Sequence, residues 1–307
     1  MTKIFIDGTS GTTGLSIRER LNSFENIELI ILPEELRKDE LARKDAINKA
    51  DVVFLCLPDL AAKEAVSLVE KDNVKTAIID ASTAHRTNDG WVYGFPELKG
   101  QKEKIKNSKR IANPGCHASG FIALIIPLVE MGVLDEKALI SAFSITGYTG
   151  GGKGMIKEYE DSPKNYLSPR QYGLTQMHKH IPEMMKVCSL VKKPNFCPIV
   201  SNFPRGMEVT VPIHASILKG GVKEVKEIYK GYYTGNIVKY VENCDENGFL
   251  PSNYLAGKDS MEISVFGNEE NILLTARFDN LGKGACGAAI QNMNILIGNE
   301  EEKGLIL

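Results

Sequence analysis

The feature that most constrains the fold of this 307-residue chain is a glycine-rich turn between a short apolar segment and an amphipathic segment. The apolar segment is 3–7, the turn (8–14) reads G-T-S-G-T-T-G, and Leu15, Ile17 and Leu21 follow at helical spacing. A strand, a glycine turn and a helix form a dinucleotide-binding unit, because glycines let the backbone approach a pyrophosphate that the helix N-terminus stabilises. The spacing is G-x-x-G-x-x-G, not the commoner G-x-G-x-x-G, so a glycine turn without a ligand is the alternative.

Further apolar segments alternate with helical ones. The pattern predicts strands over 27–32, 51–57 and 76–80 and a helix over about 60–69. Strands that are apolar throughout are typical of a parallel sheet buried on both faces, which predicts a doubly wound α/β sheet.

Two loops after these strands carry candidate binding residues. Ser82 and Arg86 follow the strand 76–80, at the sheet edge where such folds bind ligands, and are candidates for cofactor and anionic substrate contacts. An ordinary surface arginine is the alternative for Arg86. After the strand 27–32, Arg37 and Lys38 are candidates for binding a 2′-phosphate. Acidic residues lie beside them, so the local sequence does not decide between NAD and NADP, and a charged loop that contacts only solvent is the alternative.

The segment 110–120, R-I-A-N-P-G-C-H-A-S-G, places a cysteine directly after a proline-glycine turn. Apolar residues then recur at helical spacing, which predicts that Cys116 lies at or just before a helix N-terminus. A thiol loses its proton most easily in that position, so Cys116 is a candidate nucleophile. A small buried core cysteine is the structural alternative.

Beyond this helix the pattern changes to longer segments of alternating polarity, over 139–146, 208–218, 261–266 and 272–279. Alternation predicts an antiparallel sheet with one face packed on helices. The last segment, 285–297, is in helical register and is expected to return to the first domain.

Two polar stretches lie in this second part. The glycine-rich stretch 147–154 is either an anion-binding loop or a mobile linker. The stretch 178–183, H-K-H-I-P-E, places Pro182 in the first turn of a predicted helix that runs through Leu190, with Glu183 positioned to orient an imidazole. His178 and His180 could both bind a metal, but no third ligand lies at a recognisable spacing. Acid/base catalysis for the thiol is therefore the better interpretation.

Composition narrows the classes of partner. The formal net charge is −2, so no general basic field attracts nucleic acid or an anionic membrane. The six cysteines are scattered without a C-x-x-C pair, which predicts reduced thiols in a cytosol and no structural zinc. No signal-peptide pattern precedes the first strand, and no apolar run approaches the ~20 residues of a membrane helix.

Three motifs in order carry a family resemblance: I-A-N-P-G-C-H-A-S-G, H-K-H-I-P-E and D-N-L-G-K-G-A at 279–285. With them, the chain resembles the shorter N-acetyl-γ-glutamyl-phosphate reductases from Ile4 to its final helix. That family is similar in fold to aspartate-semialdehyde and glyceraldehyde-3-phosphate dehydrogenases. The resemblance implies a Rossmann-type NADP-binding domain (1–116 and 285–307) and an α+β catalytic and oligomerisation domain (117–284) inserted before the C-terminal helix.

The resemblance also implies roles for individual residues. Cys116 is then the nucleophile, His178 the acid/base and Glu183 its orienter. The expected substrate contacts are Arg86, Asn113 and His180, and the expected NADP(H) contacts are Gly8, Gly11, Thr12, Thr13, Gly14, Ser82 and Asn280, the last towards the nicotinamide. His117 departs from the family, whose members usually carry an aromatic such as tyrosine there, and this leaves the local pKa environment of the thiol undecided.

The implied activity is NADPH-dependent reductive dephosphorylation of N-acetyl-L-glutamyl 5-phosphate through a cysteine thioester, in cytoplasmic arginine biosynthesis. The implied enzyme takes a small acyl phosphate, needs no metal and forms a homodimer or homotetramer. Aspartate-semialdehyde dehydrogenase and a reductase of carrier-bound acyl phosphates in lysine biosynthesis use related chemistry and remain alternatives. A non-catalytic NADP-sensing module is the alternative from another class, and it predicts loss of the thiol or its histidine, both of which are present.

Overall fold

The computed structural model describes residues 1–307 and divides the chain into two compact units. The first consists of Met1–Pro114 with Ala285–Leu305, and the second of Gly115–Gly284 with Ile306–Leu307. Each unit is built around one sheet.

Thirteen strands and nine α-helices make up the two units. The strands are β1 (Thr2–Asp7), β2 (Ile27–Ile30), β3 (Val52–Leu55), β4 (Ala77–Asp80), β5 (Val92–Tyr93), β6 (Arg110–Ala112), β7 (Ser141–Gly147), β8 (Arg170–Gln171), β9 (Asn195–Ser201), β10 (Met207–His214), β11 (Val238–Tyr240), β12 (Met261–Gly267) and β13 (Asn271–Phe278). The helices are α1 (Thr12–Leu21), α2 (Glu40–Lys49), α3 (Asp59–Ser67), α4 (Gln101–Lys106), α5 (Cys116–Glu130), α6 (Gly152–Asp161), α7 (Ile181–Val187), α8 (Val222–Tyr232) and α9 (Gly287–Ile297).

The first unit is a doubly wound parallel sheet in the order β2-β1-β3-β4-β6-β5, which confirms the predicted fold class. Alternate residues of β1 enter different cores. Ile4 and Ile6 pack in a cluster with residues of α1 and α9, while Phe5 packs in another with residues of α2 and α3. Because helices cover both faces, β3 and β4 are buried at every position, which explains their continuous apolar sequence.

The second unit contains a seven-stranded sheet in the order β11-β12-β13-β10-β7-β9-β8. Its centre is antiparallel, as predicted, but β7 pairs parallel with β9 and β11 pairs parallel with β12, so the sheet is mixed. The segment 148–194 joins β7 to β9 and contains two helices, and a connection of that length is what a parallel pair requires.

Helix α5 is buried over most of its length and continues through Pro127 to Glu130. A proline inside a helix leaves the carbonyl four residues earlier without its usual donor. Here the hydroxyl of Tyr233 donates to the Ala123 carbonyl over 2.7 Å and replaces that bond. The tyrosine therefore explains why the helix does not end at the proline.

Several predicted ends differ from the observed ones. The strand predicted over 208–218 ends at His214, where a 3-10 turn begins, and the helix predicted through Leu190 ends at Val187, followed by Ser189 with a φ of +55°. No helix combines the length and the apolar character that a membrane span requires.

Candidate active site

The glycine turn of the first unit has the shape of a phosphate-binding loop. Gly8 has a φ of +94°, and a Cβ there would lie 2.3 Å from the Cys56 carbonyl oxygen. A Cβ on Gly14 would lie 2.4 Å from the Gly8 carbonyl oxygen. Gly11 precedes α1, and Thr12 and Thr13 form its first turn. The turn therefore depends on glycine at two points and leads directly into the N-terminus of α1, a position that favours a phosphate.

A cavity of about 390 Å³ lies at the carboxyl ends of β1 and β2, beside this turn. Three cationic side chains line it, from Arg18, Arg37 and Lys38, together with three acids, Asp7, Glu34 and Glu35. The buried Thr12 hydroxyl has no hydrogen-bond partner in the protein, and a ligand phosphate would supply one. Cations at the cavity and an unsatisfied hydroxyl at a helix N-terminus fit a phosphorylated dinucleotide.

Ser82 lies in an ordered loop after β4. Its N–H and its hydroxyl both donate to the Asp80 carboxylate, over 2.9 and 2.8 Å. The same carboxylate is 2.6 Å from His85 Nδ1, and the His85 ring stacks on Trp91 with centroids 4.0 Å apart. Sequence reasoning missed Asp80 and His85, which hold the loop that carries Ser82.

The structure brings Arg86 and Asn113 together within the first unit. Arg86 donates from Nε to the Asn113 carbonyl over 2.9 Å and from Nη2 to the Ala81 carbonyl over 3.0 Å. The side chain of Asn113 is buried, donates to the Ala285 carbonyl and accepts from Asn292. Both residues therefore hold the turn that leads into Cys116.

In the second unit, Cys116 is the first residue of α5, directly after the extended Gly115. This is the position that the sequence predicts. The thiol is partly buried, so the alternative of a fully buried core cysteine is not what the structure shows. Gly284 lies against it, since a Cβ on Gly284 would be 2.9 Å from Cys116 Cβ. The late glycine-rich motif thus leaves room beside the cysteine.

Glu183 connects the histidine motif to the start of the cysteine helix. Its side chain is buried, and Oε1 accepts the Gly115 N–H over 2.8 Å. Glu183 belongs to the first turn of α7, which Pro182 helps to begin, as predicted. Sequence reasoning did not foresee the contact with Gly115.

The two histidines ahead of α7 lie together, with ring centroids 4.8 Å apart. His178 Nδ1 accepts the backbone N–H of His180 over 3.2 Å. Burial, and then the charge of Lys179, lowers the pKa of His178 to about 4. At neutral pH the His178 ring is therefore uncharged, and because Nδ1 is an acceptor its proton is on Nε2.

His117 forms the third ring of this cluster, 5.6 Å from each of the other two histidines. Its Nδ1 lies 2.6 Å from Ser144 Oγ and its Nε2 lies 2.6 Å from Tyr172 Oη. Burial, and then the charge of His178, lowers the pKa of His117 to about 3. Burial, and then the charge of Cys116, raises the pKa of Tyr172. Sequence reasoning missed Tyr172 and Ser144, and no local signal in either segment could have found them.

Asn280 lies in the second unit, where its side chain accepts from the Gly206 N–H over 3.0 Å and donates to Thr149 Oγ1 over 2.9 Å. Thr149 belongs to the glycine-rich stretch 147–154, which forms a 3-10 turn and then begins α6. The stretch is thus regular structure, not a mobile linker, and the predicted nicotinamide contact of Asn280 stays a prediction.

Two family models match the chain. The semialdehyde dehydrogenase NAD binding domain matches residues 33–108, and the semialdehyde dehydrogenase dimerisation domain matches residues 116–280. The N-acetyl-gamma-glutamyl-phosphate reductase of Brucella ovis is 46% identical over 96% of this chain and 99% of that protein.

Solved structures share the fold at low identity. Aspartate semialdehyde dehydrogenase from Francisella tularensis aligns with a TM-score of 0.73 over 97% of this chain and 100% of that one, at 16% identity. The enzyme with NADP from Candida albicans aligns with a TM-score of 0.69 over 97% and 99% of the two chains, at 14% identity.

Proposed function

This chain belongs to the semialdehyde dehydrogenase family, and we propose that it catalyses the NADPH-dependent reductive dephosphorylation of N-acetyl-L-glutamyl 5-phosphate to N-acetyl-L-glutamate 5-semialdehyde. The substrate is the one named for its 46%-identical relatives, and the reaction is a step of arginine biosynthesis. The cytoplasm is the proposed location. The observation that carries the proposal is the placement of Cys116 at a helix start that Glu183 holds from the histidine motif.

NADP(H) is the cofactor. The N-terminus of α1 after Gly11 would hold the pyrophosphate, and Arg37 and Lys38 would hold the 2′-phosphate. The contacts of Ser82 and of Asn280 with the cofactor stay predictions. When bound, the cofactor supplies the hydride that reduces the acyl group.

Cys116 is the proposed nucleophile. At the first position of α5, its thiolate faces the positive end of the helix dipole, which favours the anion. The thiolate attacks the acyl carbon of the acyl phosphate, the C–O bond to the phosphate breaks, and a thioester remains on Sγ. After reduction, the C–S bond breaks, the aldehyde forms and the thiolate is restored.

The family motif predicts His178 as the acid/base, but two observations favour His180 for this role. His178 Nδ1 accepts a backbone N–H and its Nε2 carries a proton, so the neutral ring has no free lone pair to take the thiol proton. A pKa of about 4 also makes His178 a weak base at neutral pH. His180 is buried directly before α7, three residues from Glu183, a spacing that places the carboxylate where it can orient the ring.

His178 then serves as a hydrogen-bond donor. Its Nε2–H is suited to a carboxylate or phosphate oxygen of the substrate, and part of its surface is exposed. The contact of Arg86 with an anionic group of the substrate stays a prediction, because its Nε and Nη2 donate to the Asn113 and Ala81 carbonyls. Asn113 acts beside it by holding the turn before Cys116.

The proposed assembly is a homodimer or homotetramer formed by the second unit, the part that matches the dimerisation-domain model. Sedimentation of the purified protein measures this directly. A monomer at working concentrations would exclude the assembly without affecting the proposed reaction.

A coupled assay tests the substrate. Purified enzyme, phosphate and NADP⁺ are combined with N-acetylglutamate semialdehyde or with aspartate semialdehyde, and NADPH formation is followed by absorbance. The proposal predicts that kcat/KM is higher by orders of magnitude for the acetylated substrate. Preference for aspartate semialdehyde would favour the dehydrogenase alternative, and activity only on a carrier-bound substrate would favour the lysine-pathway alternative.

A further inference from the structure

The residue after the nucleophile, His117, is the centre of a hydrogen-bonded chain that the proposed reaction does not use. Ser144 Oγ lies 2.6 Å from one ring nitrogen and Tyr172 Oη lies 2.6 Å from the other. The three side chains come from α5, β7 and the segment between β8 and α7. His117 and Ser144 are almost completely buried, whereas Tyr172 is half-buried.

The burial of Ser144 decides which ring nitrogen carries the proton. A serine hydroxyl has one proton to donate, and the only hydrogen-bond partner of the Ser144 side chain is His117 Nδ1. If Nδ1–H donated to Ser144, the serine proton would be buried without an acceptor, which is costly. Ser144 therefore donates to Nδ1, and the neutral His117 ring carries its proton on Nε2.

This tautomer in turn fixes the role of the tyrosine hydroxyl. Nε2–H donates to Tyr172 Oη, which leaves the phenolic proton available for another acceptor. Burial, and then the charge of Cys116, raises the pKa of Tyr172, so the phenol remains protonated and acts as a donor. His117 directly follows Cys116 at the start of α5, so its hydrogen bond to the phenol holds Tyr172 beside that helix start.

We propose that His117 is a positioning residue that turns the Tyr172 hydroxyl toward the acyl group on Cys116, where it donates a hydrogen bond to the reacting carbonyl oxygen. Negative charge develops on this oxygen during both thiolate attack and hydride addition, so the donor stabilises the transition states more than the ground state. The inference rests on the proposed function for its chemistry, but the tautomer of His117 is a property of the resting protein.

Substitutions that keep or remove the donor test the role. His117→Gln places a side-chain amide N–H near the position of Nε2, whereas the shorter side chain of His117→Asn does not reach the tyrosine. Tyr172→Phe is expected to lower kcat on the order of 10²-fold, as loss of an oxyanion donor does, with little change in KM. His117→Asn should also lower kcat, and His117→Gln should retain more activity than His117→Asn.

The double variant separates positioning from a general packing role. If His117 acts through Tyr172, His117→Asn combined with Tyr172→Phe is no slower than Tyr172→Phe alone. Losses that multiply would overturn the proposal, as would equal activity of the Gln and Asn variants.

The tautomer is measured independently of any activity. ¹⁵N NMR of the wild-type protein labelled at histidine distinguishes Nε2–H from Nδ1–H, and the His117→Gln spectrum identifies the signals of His117. The proposal predicts a proton on Nε2 from pH 6 to 8. A proton on Nδ1 would overturn it even if every variant folded poorly, and failure of the coupled assay would leave this result unaffected.

Discussion

The Glu183 carboxylate accepts the Gly115 N–H over 2.8 Å, so a residue of the histidine motif holds the first turn of the helix that begins with Cys116. Glu183→Gln keeps an acceptor oxygen but loses the charge, and Glu183→Ala loses both. We expect only the alanine variant to lose about 1–3 kcal/mol of unfolding free energy, because it leaves a buried N–H unsatisfied.

Urea denaturation measures the stability of both variants, and kcat measures the effect of the charge. Glu183→Gln should lower kcat while stability stays close to that of the parent. Equal stability of the alanine and glutamine variants would show that the contact with Gly115 does not hold the helix start.

Variants of His178 and His180 should affect different kinetic constants. His180→Asn removes the proposed acid/base and is expected to lower kcat by ~10²- to 10⁴-fold. His178→Asn removes a hydrogen-bond donor to the substrate and should mainly raise KM. Steady-state kinetics and the pH dependence of iodoacetamide inactivation of Cys116 measure both effects. A large loss of kcat in His178→Asn with only a KM change in His180→Asn would restore the roles that the family motif predicts.

Local sequence was sufficient for the features that depend on neighbours along the chain. The apolar runs of β3 and β4 predicted a sheet covered on both faces, and the turn before Cys116 predicted the start of α5. The continuation of α5 through Pro127 was not predictable, because its substitute donor, Tyr233, lies 110 residues from Ala123.

The polar chain around His117 was unpredictable for the same reason. Ser144 is 27 residues and Tyr172 is 55 residues away along the sequence, and nothing in either segment marks it as a partner. Alternating polarity likewise indicates which face of a strand is buried but not the direction of its neighbour, so the parallel pairing of β7 and β9 was missed.

Cofactor preference should depend on the two cations behind β2. Arg37→Ser and Lys38→Ser are each expected to raise the KM for NADPH on the order of 10-fold, because a charged hydrogen bond to the 2′-phosphate is lost. The KM for NADH, which lacks that phosphate, should stay the same. Lys71→Ser, at an exposed position away from the cavity, is the control. A parallel rise for both cofactors would show that neither cation contacts the 2′-phosphate.

His117 should make stability depend on pH. Its pKa is about 3 in the folded protein, against about 6.5 in an unfolded chain. The unfolded state therefore binds the extra proton between these values, and the free energy of unfolding falls as pH decreases from about 6.5 towards 3, by up to about 1.4 kcal/mol per pH unit.

Urea denaturation between pH 7 and 5 measures this slope. His117→Gln should make the slope shallower, and His214→Gln, which changes an exposed histidine, should leave it unchanged. An identical slope in the parent and in His117→Gln would contradict the burial of a neutral His117.

A burst experiment without phosphate detects the proposed thioester on Cys116. N-acetylglutamate semialdehyde and NADP⁺ are mixed rapidly with the enzyme, and NADPH is followed by absorbance. Oxidation to the thioester can then occur once per active site but cannot be completed by phosphorolysis. We expect one NADPH per functional site and an acyl adduct on the peptide containing Cys116. We expect neither signal in Cys116→Ser that still binds NADPH. A burst of the same size in the serine variant, or an adduct on another residue, would contradict it.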